Sequence, residues 1–191
     1  MNKQTQNIIP FRLQAGYVVG IEEAYISHNS LESLFGDIFS QTKEYCVLTW
    51  NGIPFLLHYT QDIPAYITPL AQLLHDVYEK KVSEKTYEFH SNTCMFSLTV
   101  GIVENDLILT ANFKKVRGAV DEALNAAAKI QMNRILFLYE WKLLLEQILE
   151  GFDQSKRELK DHKGKQIIAM IRNINDQIER PYRYQYHLRN S

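Results

Sequence analysis

Two cysteines, Cys46 and Cys94, are the side chains of this sequence best suited to nucleophilic chemistry. Each lies in an apolar run typical of a strand, whereas a reactive thiolate needs a polar and partly exposed position. The sequence has no Gly-x-Ser-x-Gly motif, which would present a serine at a strand-to-helix turn. We therefore predict two packed, free thiols and a protein that is not an enzyme.

Metal and phosphate chemistry also lack their usual residue patterns. The six histidines form no His-x-x-x-His or His-Glu-x-x-His pair; they are His28, His58, His75, His90, His162 and His187. Lys163-Gly164-Lys165 lacks the spaced glycines of a phosphate-binding loop. The sequence therefore predicts no metal and no cofactor.

The composition is that of a folded protein without a strong net charge. The 191 residues carry a net charge of −1, with 46% hydrophobic and 23% charged residues, unlike a dedicated nucleic-acid-binding protein. The polar N-terminal residues do not resemble a signal peptide. The apolar stretch 135–149 is interrupted by Glu140, Lys142 and Glu146, which argues against a transmembrane helix. We predict a cytoplasmic protein that does not enter the membrane.

The charges are unevenly distributed along the chain. Residues 155–189 contain nine Lys/Arg and four Asp/Glu residues, a net charge of +5, which leaves −6 for the remainder. The end of this basic segment, residues 182–189, alternates tyrosines with polar and basic residues, so an extended backbone would place the tyrosines on one face. This tail could be an edge strand with buried tyrosines, a protein contact or a nucleic-acid contact. Its candidate contact residues are Tyr182, Arg183, Tyr184 and Tyr186.

The first elements are a strand and a short helix. Residues 9–20 are typical of a strand, with Tyr17 and Val18-Val19 directed inward. Ser30 is a suitable N-cap for a helix whose apolar residues recur at helical spacing. Those residues are Leu31, Leu34, Phe35, Ile38 and Phe39.

A hairpin is the clearest local prediction. Two apolar, β-rich runs within residues 45–59 flank Asn51-Gly52, a pair that tolerates the positive φ values of a type I′ turn. Pro54 has no amide donor, so we expect the second strand to begin at the sheet edge or after this residue.

The middle of the chain predicts a helix followed by an antiparallel meander. The helix is expected to begin at Thr68-Pro69, since proline is favoured in the first helical position, and to end near Lys80-Lys81. Strands are predicted over 86–90, 93–103 and 107–113.

The C-terminal part predicts two helices. Residues 119–150 contain no proline or glycine and are rich in helix formers, which indicates one long helix that stops at Gly151. A second helix is predicted over 155–179, with Gly164 as a weak point and isoleucines at 167, 171, 174 and 178 on one face. These helices could cover the sheet as a hairpin or mediate a homodimer.

Together these elements predict an α+β fold, in which a mostly antiparallel sheet is packed by helices and followed by a long C-terminal helical hairpin. We expect a sheet region over 1–117, and a helical hairpin with a basic aromatic tail over 118–191. The two regions are expected to share one core.

The layout resembles the immunity proteins of bacterial polymorphic and contact-dependent toxin systems. The resemblance rests on a small, aromatic-rich α+β chain without catalytic motifs and on the Trp50-Asn51-Gly52-Ile53-Pro54-Phe55 hairpin. It implies a non-catalytic inhibitor that binds one toxin domain, often a nuclease, stoichiometrically. Many such inhibitors present acids to a basic cleft. The candidate acids here are Glu22, Glu23, Asp76, Glu79, Glu104 and Asp106.

Two other functions stay open at this point. A nucleic-acid-associated protein could use the basic segment 155–189. An enzyme could assemble its site only in three dimensions, with Cys94, His90 and Tyr87 as candidates.

Overall fold

The computed structural model describes residues 10–179, which form nine strands and five helices. The strands are β1 Phe11–Ala15, β2 Ser27–His28, β3 Tyr45–Trp50, β4 Ile53–His58, β5 Glu84–His90, β6 Cys94–Val103, β7 Asp106–Val116, β8 Lys129–Asn133 and β9 Glu158–Leu159. The helices are α1 Leu31–Ile38, α2 Asp62–Tyr78, α3 Asp121–Ala126, α4 Arg134–Ser155 and α5 His162–Gln177. This is the predicted α+β class, with antiparallel sheets packed by helices.

A three-stranded antiparallel sheet in the order β1-β3-β4 contains the predicted hairpin. Asn51 and Gly52 have φ values of 46° and 81°, the left-handed region that a type I′ turn requires. Pro54 lies in β4, at the edge of this sheet, and pairs with Thr49 of β3. Both predictions are confirmed.

The predicted meander is a four-stranded antiparallel sheet in the order β5-β6-β7-β8. Its inner face is apolar and buried, with side chains such as Leu98, Val100 and Leu109. Its outer face carries polar residues, and Thr86 and Thr99 on this face share a hydrogen bond of 2.8 Å. The sheet therefore buries one face and exposes the other, as antiparallel sheets commonly do.

The fourth strand was not predicted, and the prediction of one helix over 119–150 is wrong. The chain instead forms α3, then β8, and only then α4. Ile130 and Met132 pair with Leu109 and Leu107 of β7, and both side chains are buried. Pairing with an existing strand outweighs the helix propensity of this stretch. The region after residue 117 thus completes the sheet of the region before it.

Helix α1 is confirmed, including the hydrogen bond from the Ser33 amide to the Ser30 side chain. Helix α2 begins at Asp62, so its predicted start at Thr68-Pro69 is wrong. The Asp62 carboxylate accepts a hydrogen bond of 2.6 Å from the His58 amide, which fixes the helix start just after β4. Pro69 therefore lies inside the helix.

The first strand is shorter than predicted, because β1 ends at Ala15. The amide of Gly16 still reaches Tyr45, but the amide of Val18 bonds to the Gln147 side chain on α4. Beyond this point Tyr17 and Val19 are exposed, so their predicted inward orientation is wrong, whereas Val18 is buried.

Helix α4 continues through Gly151, so the predicted stop at this glycine is wrong. A Cβ atom at position 151 would lie 3.1 Å from Cε1 of Phe39 and 3.3 Å from Cγ2 of Ile38. Gly151 therefore permits close packing of α4 on α1 rather than ending the helix. The helix ends at Ser155, where Lys156 takes a left-handed φ of 55°.

The last helix is shorter than predicted, since residues 158–159 form β9 and α5 begins after its N-cap, Asp161. The isoleucines predicted to share one face are all buried. Lys142 on α4 bonds to the Asn175 carbonyl of α5, and Asp153 on α4 pairs with Arg172 of α5, so the two helices pack against each other. The apolar face of α5 is thus used inside the chain.

Buried apolar residues of both larger sheets and of all five helices form one hydrophobic core. Among the helices of residues 10–179, none combines the length and the apolar character that crossing a bilayer demands.

The Asp62 carboxylate is buried and accepts from the His58 amide and from the Ser91 and Thr93 hydroxyls. We predict that Asp62→Asn lowers the free energy of unfolding by about 2–4 kcal/mol, because it weakens this shared buried acceptor. Urea unfolding at neutral pH measures this loss. Asp176→Asn, at an exposed position, is the control and should change stability by less than about 0.5 kcal/mol. Equal stability of the two variants would contradict the assigned role of Asp62.

Candidate functional site

The most distinctive surface of the described chain is the β1–β2 segment, which we define as residues 16–26. It has no regular secondary structure. Its first part is nevertheless fixed: the Gly16 amide bonds to the Tyr45 carbonyl at 3.1 Å, and the Tyr59 hydroxyl bonds to the Gly16 carbonyl at 2.9 Å. The Val18 amide bonds to Gln147 Oε1 at 2.9 Å. The segment therefore leaves the sheet in a defined direction.

The second part of the segment is fixed by the end of α4 and by β9. The Ala24 amide bonds to the Ser155 carbonyl at 2.9 Å, and the Ile26 carbonyl accepts from the Glu158 amide at 2.9 Å. The Arg157 guanidinium donates to the Glu22 carbonyl at 2.6 Å. Hydrogen bonds thus hold the backbone of the β1–β2 segment at Gly16 and Val18 and again at Glu22, Ala24 and Ile26, although the segment has no helix or strand.

The side chains that the segment directs outward are apolar and acidic. The described chain has nine exposed large hydrophobic residues, and four of them lie here: Tyr17 (66% exposed), Val19 (58%), Tyr25 (90%) and Ile26 (51%). Glu22 and Glu23 are exposed between them, and neither carboxylate forms an ion pair within residues 10–179. Exposed apolar groups concentrated in this way are typical of an interaction site.

Gly20 lies at the middle of the segment with a φ of +77°. Apart from its chain neighbours, no atom of residues 10–179 lies within 4 Å of the position that its Cβ would take, so the requirement for glycine here comes from the backbone conformation and not from crowding.

A buried polar network lies next to the β1–β2 segment. Arg157 is almost completely buried and pairs with Asp37 through an Nε–Oδ2 contact of 2.5 Å. His28 Nε2 lies 3.3 Å from the same carboxylate, and His28 Nδ1 lies 3.1 Å from the Ser33 hydroxyl. The sequence analysis missed this grouping of a serine, a histidine and an aspartate, because their spacing matches no hydrolase motif.

The geometry of this network is not that of a catalytic triad. In such triads histidine faces serine through Nε2 and aspartate through Nδ1, whereas here the two nitrogens are exchanged. The Ser33 amide is already bonded to Ser30 Oγ, and the Leu34 amide to the Ser30 carbonyl, so neither is available to an oxyanion. The network acts instead as a connection between α1, β2 and the end of α4.

The side chains considered for an enzyme site have separate partners. Burial raises the pKa of Cys94, and likewise that of Cys46, to about 12. The Tyr87 hydroxyl donates to Asp76 at 2.8 Å, and His90 contacts Glu88 at 3.0 Å. The structure therefore does not bring Cys94, His90 and Tyr87 together around one reacting atom.

The predicted acids fall into two groups. Glu22 and Glu23 lie on the β1–β2 segment, whereas the others lie near the end of α2 and the β6–β7 turn: Asp76, Glu79, Glu104 and Asp106. Arg134 connects the end of α2 with the β6–β7 turn. Its guanidinium donates to the Val77 and Tyr78 carbonyls, and its backbone amide donates to the Asn105 carbonyl.

Most acids of the second group have partners within the chain. Asp76 pairs with Lys85 at 2.6 Å, Glu79 lies 3.6 Å from Lys81, and Asp106 accepts from Gln131 at 3.0 Å. Glu104 is exposed in the turn. Glu22 and Glu23 lie on a segment with four exposed apolar side chains, whereas Glu104 has one such neighbour in sequence, Val103.

The tyrosines and arginine predicted as tail contacts, Tyr182, Arg183, Tyr184 and Tyr186, lie outside the described residues. Within residues 10–179, no group of three or more His, Cys, Asp and Glu side chains is arranged to hold a metal ion.

Comparisons with protein-family models, with curated proteins and with solved structures gave no match.

We predict that neither Cys46 nor Cys94 reacts with a thiol reagent in the native protein near pH 8, because burial keeps both thiols protonated. Mass spectrometry after brief alkylation should find no label, and two labels after unfolding in denaturant. Rapid labelling of one native thiol would indicate an accessible thiolate and would support an enzyme that uses this cysteine.

We also predict that Asp76 stabilises the fold only while it is ionised. Partial burial opposes its ionisation, but hydrogen bonds from Lys85 and Tyr87 outweigh this effect and hold the pKa of Asp76 below its usual value. Its contribution is therefore present above the unfolded pKa, near ~3.9, and is lost as the pH falls through the lower folded value.

Asp76→Asn should accordingly cost about 1–2 kcal/mol at pH 7 and progressively less below pH ~4. Urea unfolding of both proteins across this range measures the difference. A difference that does not change with pH would show that packing, rather than charge, explains the effect.

Proposed function

We propose that this chain is a non-catalytic protein-binding protein whose contact surface is the β1–β2 segment. The observation that carries the proposal is the fixed backbone of this segment, which presents outward Tyr17, Tyr25 and two carboxylates that have no ion pair within residues 10–179. In its most specific form, the proposal is that the protein neutralises a bacterial toxin domain in the cytoplasm by stoichiometric binding, as the resemblance to immunity proteins implies.

The physical properties of the segment suit tight binding. Tyrosine offers a large contact area at a low cost in conformational entropy and is enriched among the residues that dominate binding energy. A backbone that is already fixed lowers the ordering cost of association. The segment thus combines aromatic anchors with a preorganised shape.

The acids give the proposed partner an electrostatic character. Glu22 and Glu23 are exposed and adjacent, so they favour a partner with a basic surface and accelerate its approach. A toxin nuclease domain has such a surface, because it binds the phosphate backbone. Asp76 takes a structural role in this proposal because Lys85 and Tyr87 already bind its carboxylate.

The first test is an affinity pull-down from lysate of the native cell, divided into nuclease-treated and untreated halves and analysed by mass spectrometry. One protein retained at a near one-to-one ratio in both halves supports the proposal and identifies the partner. Retention that depends on nucleic acid contradicts it.

With that partner in hand, we predict that Glu22→Lys combined with Glu23→Lys weakens binding at least about tenfold, mainly through a slower association rate. The loss should shrink at high salt, because salt screens exposed charges. Surface plasmon resonance at two salt concentrations measures both rates. The control is Glu104→Lys, which changes an exposed acid in the β6–β7 turn. Equal effects at both sites would contradict the assignment to the β1–β2 segment.

A nucleic-acid-associated function is the second candidate, and one observation favours it. Four lysines near β9 and the start of α5 are exposed, and none forms an ion pair within the described chain: Lys156, Lys160, Lys163 and Lys165. Such a cluster could contact phosphates, and binding would then weaken steeply with salt. The nuclease-treated half of the pull-down separates the two functions.

A further inference from the structure

A concave cavity lies where the β1–β2 segment meets the C-terminal end of α4. It has a volume of about 490 Å³ and is lined by Tyr25, Ser27, Phe152, Asp153, Lys156, Arg157 and Glu158. Two of these residues are aromatic, and Tyr25 is the most exposed large hydrophobic residue of the described chain. The cavity therefore adjoins the proposed contact surface and has aromatic groups in its wall.

The charges around the cavity favour a cation. Asp153 forms an ion pair with Arg172, and Arg157 forms one with Asp37, so neither pair adds net charge to the cavity. Of the charged residues in the lining, Glu158 and Lys156 have no ion pair within residues 10–179. Glu22 and Glu23 on the adjoining segment and Lys160, two residues after Glu158, have none there either, so three carboxylates face two lysines around the cavity.

The wall of this cavity already binds a guanidinium group of its own chain. The Arg172 guanidinium carbon lies 6.0 Å from the centre of the Phe152 ring, while its Nη2 donates to Asp153. Cations over an aromatic face and guanidinium–carboxylate pairs are both favourable arrangements. Tyr25 and Glu158 offer the same combination of ring and carboxylate in the same cavity, and both are exposed.

We propose that this cavity receives an arginine side chain from the protein partner, with the guanidinium stacked on Tyr25 and paired with Glu158. Arginine fits better than lysine because its planar group can stack on a ring and bind a carboxylate at the same time. This inference rests on the proposed function, and it states which residue type the partner places at the edge of the β1–β2 segment.

The test uses the intact protein and a small probe, Nα-acetyl-arginine methylamide, titrated to about 50 mM at constant ionic strength and followed by ¹H–¹⁵N NMR. We expect saturable shifts confined to the amides of residues 25–27 and 152–158. The matched control probe is the citrulline analogue, which has nearly the same shape but no charge and should bind at least about tenfold more weakly.

Two variants locate the site. Tyr25→Ser and Glu158→Gln should each reduce the arginine-dependent shifts, and both positions are exposed, so the fold should be retained. Tyr45→Ser changes an aromatic residue outside the cavity and should leave the shifts unchanged. The absence of shifts, equal shifts with citrulline, or shifts that persist in both cavity variants would each overturn the inference.

The outcome is separable from that of the proposed function. Loss of partner binding in the Glu22→Lys and Glu23→Lys protein, together with no response to the arginine probe, would remove the arginine cavity and leave the β1–β2 segment as the contact surface. A specific arginine response from a protein that retains no partner protein would support the cavity and remove the proposed function.

Discussion

The fold depends on one buried carboxylate, that of Asp62, which has no solvent exposure. It lies at the start of α2 and accepts hydrogen bonds from the His58 amide at the end of β4 and from Ser91 and Thr93 in the β5–β6 turn. A buried carboxylate that lacks its donors is strongly unfavourable. The end of the three-stranded sheet, the start of α2 and a turn of the four-stranded sheet must therefore meet at one point.

A second constraint, set by α4, determines where the surface segment begins. The free edge of β1 is covered by this helix, and Glu140 accepts a hydrogen bond from the Leu13 amide at 3.0 Å. Gln147, two turns further along, accepts from Val18. Packing of Phe11 against Phe137 and Trp141 sets the separation of strand and helix. The β1–β2 segment then begins in a direction that the core has already determined.

The sequence predicted the elements that depend on local chemistry. The Asn51-Gly52 turn, the Ser30 cap and the strands over 93–103 and 107–113 are encoded by residues close to one another, and all are confirmed. The start of α2 and strand β8 were wrong because their partners lie far away: Ser91 and Thr93 for Asp62, and β7 for Ile130. Local propensity carries no information about such partners.

The candidate surface was predictable only in part. Glu22 and Glu23 were identified as acids, but Tyr17 and Val19 were placed in the core, because a run of β-formers is normally buried. Gly16 and Gly20 were the available signals that the strand breaks there. The role of Arg157 could not be predicted, since its partners Asp37 and Glu22 are distant in sequence.

The parallel pairing of β2 with β9 determines at what point of protein synthesis the β1–β2 segment can take its fixed form. Ser27 and Glu158 are 131 residues apart, yet each helps to fix the other. During synthesis, Tyr25 and its acidic neighbours leave the ribosome well before residues 158–159, which hold them, have been made. Contacts of such high sequence separation are slow to form in folding. A partner that recognises the fixed segment would therefore meet its binding surface only after β9 has been made, and shorter nascent fragments would not compete for it.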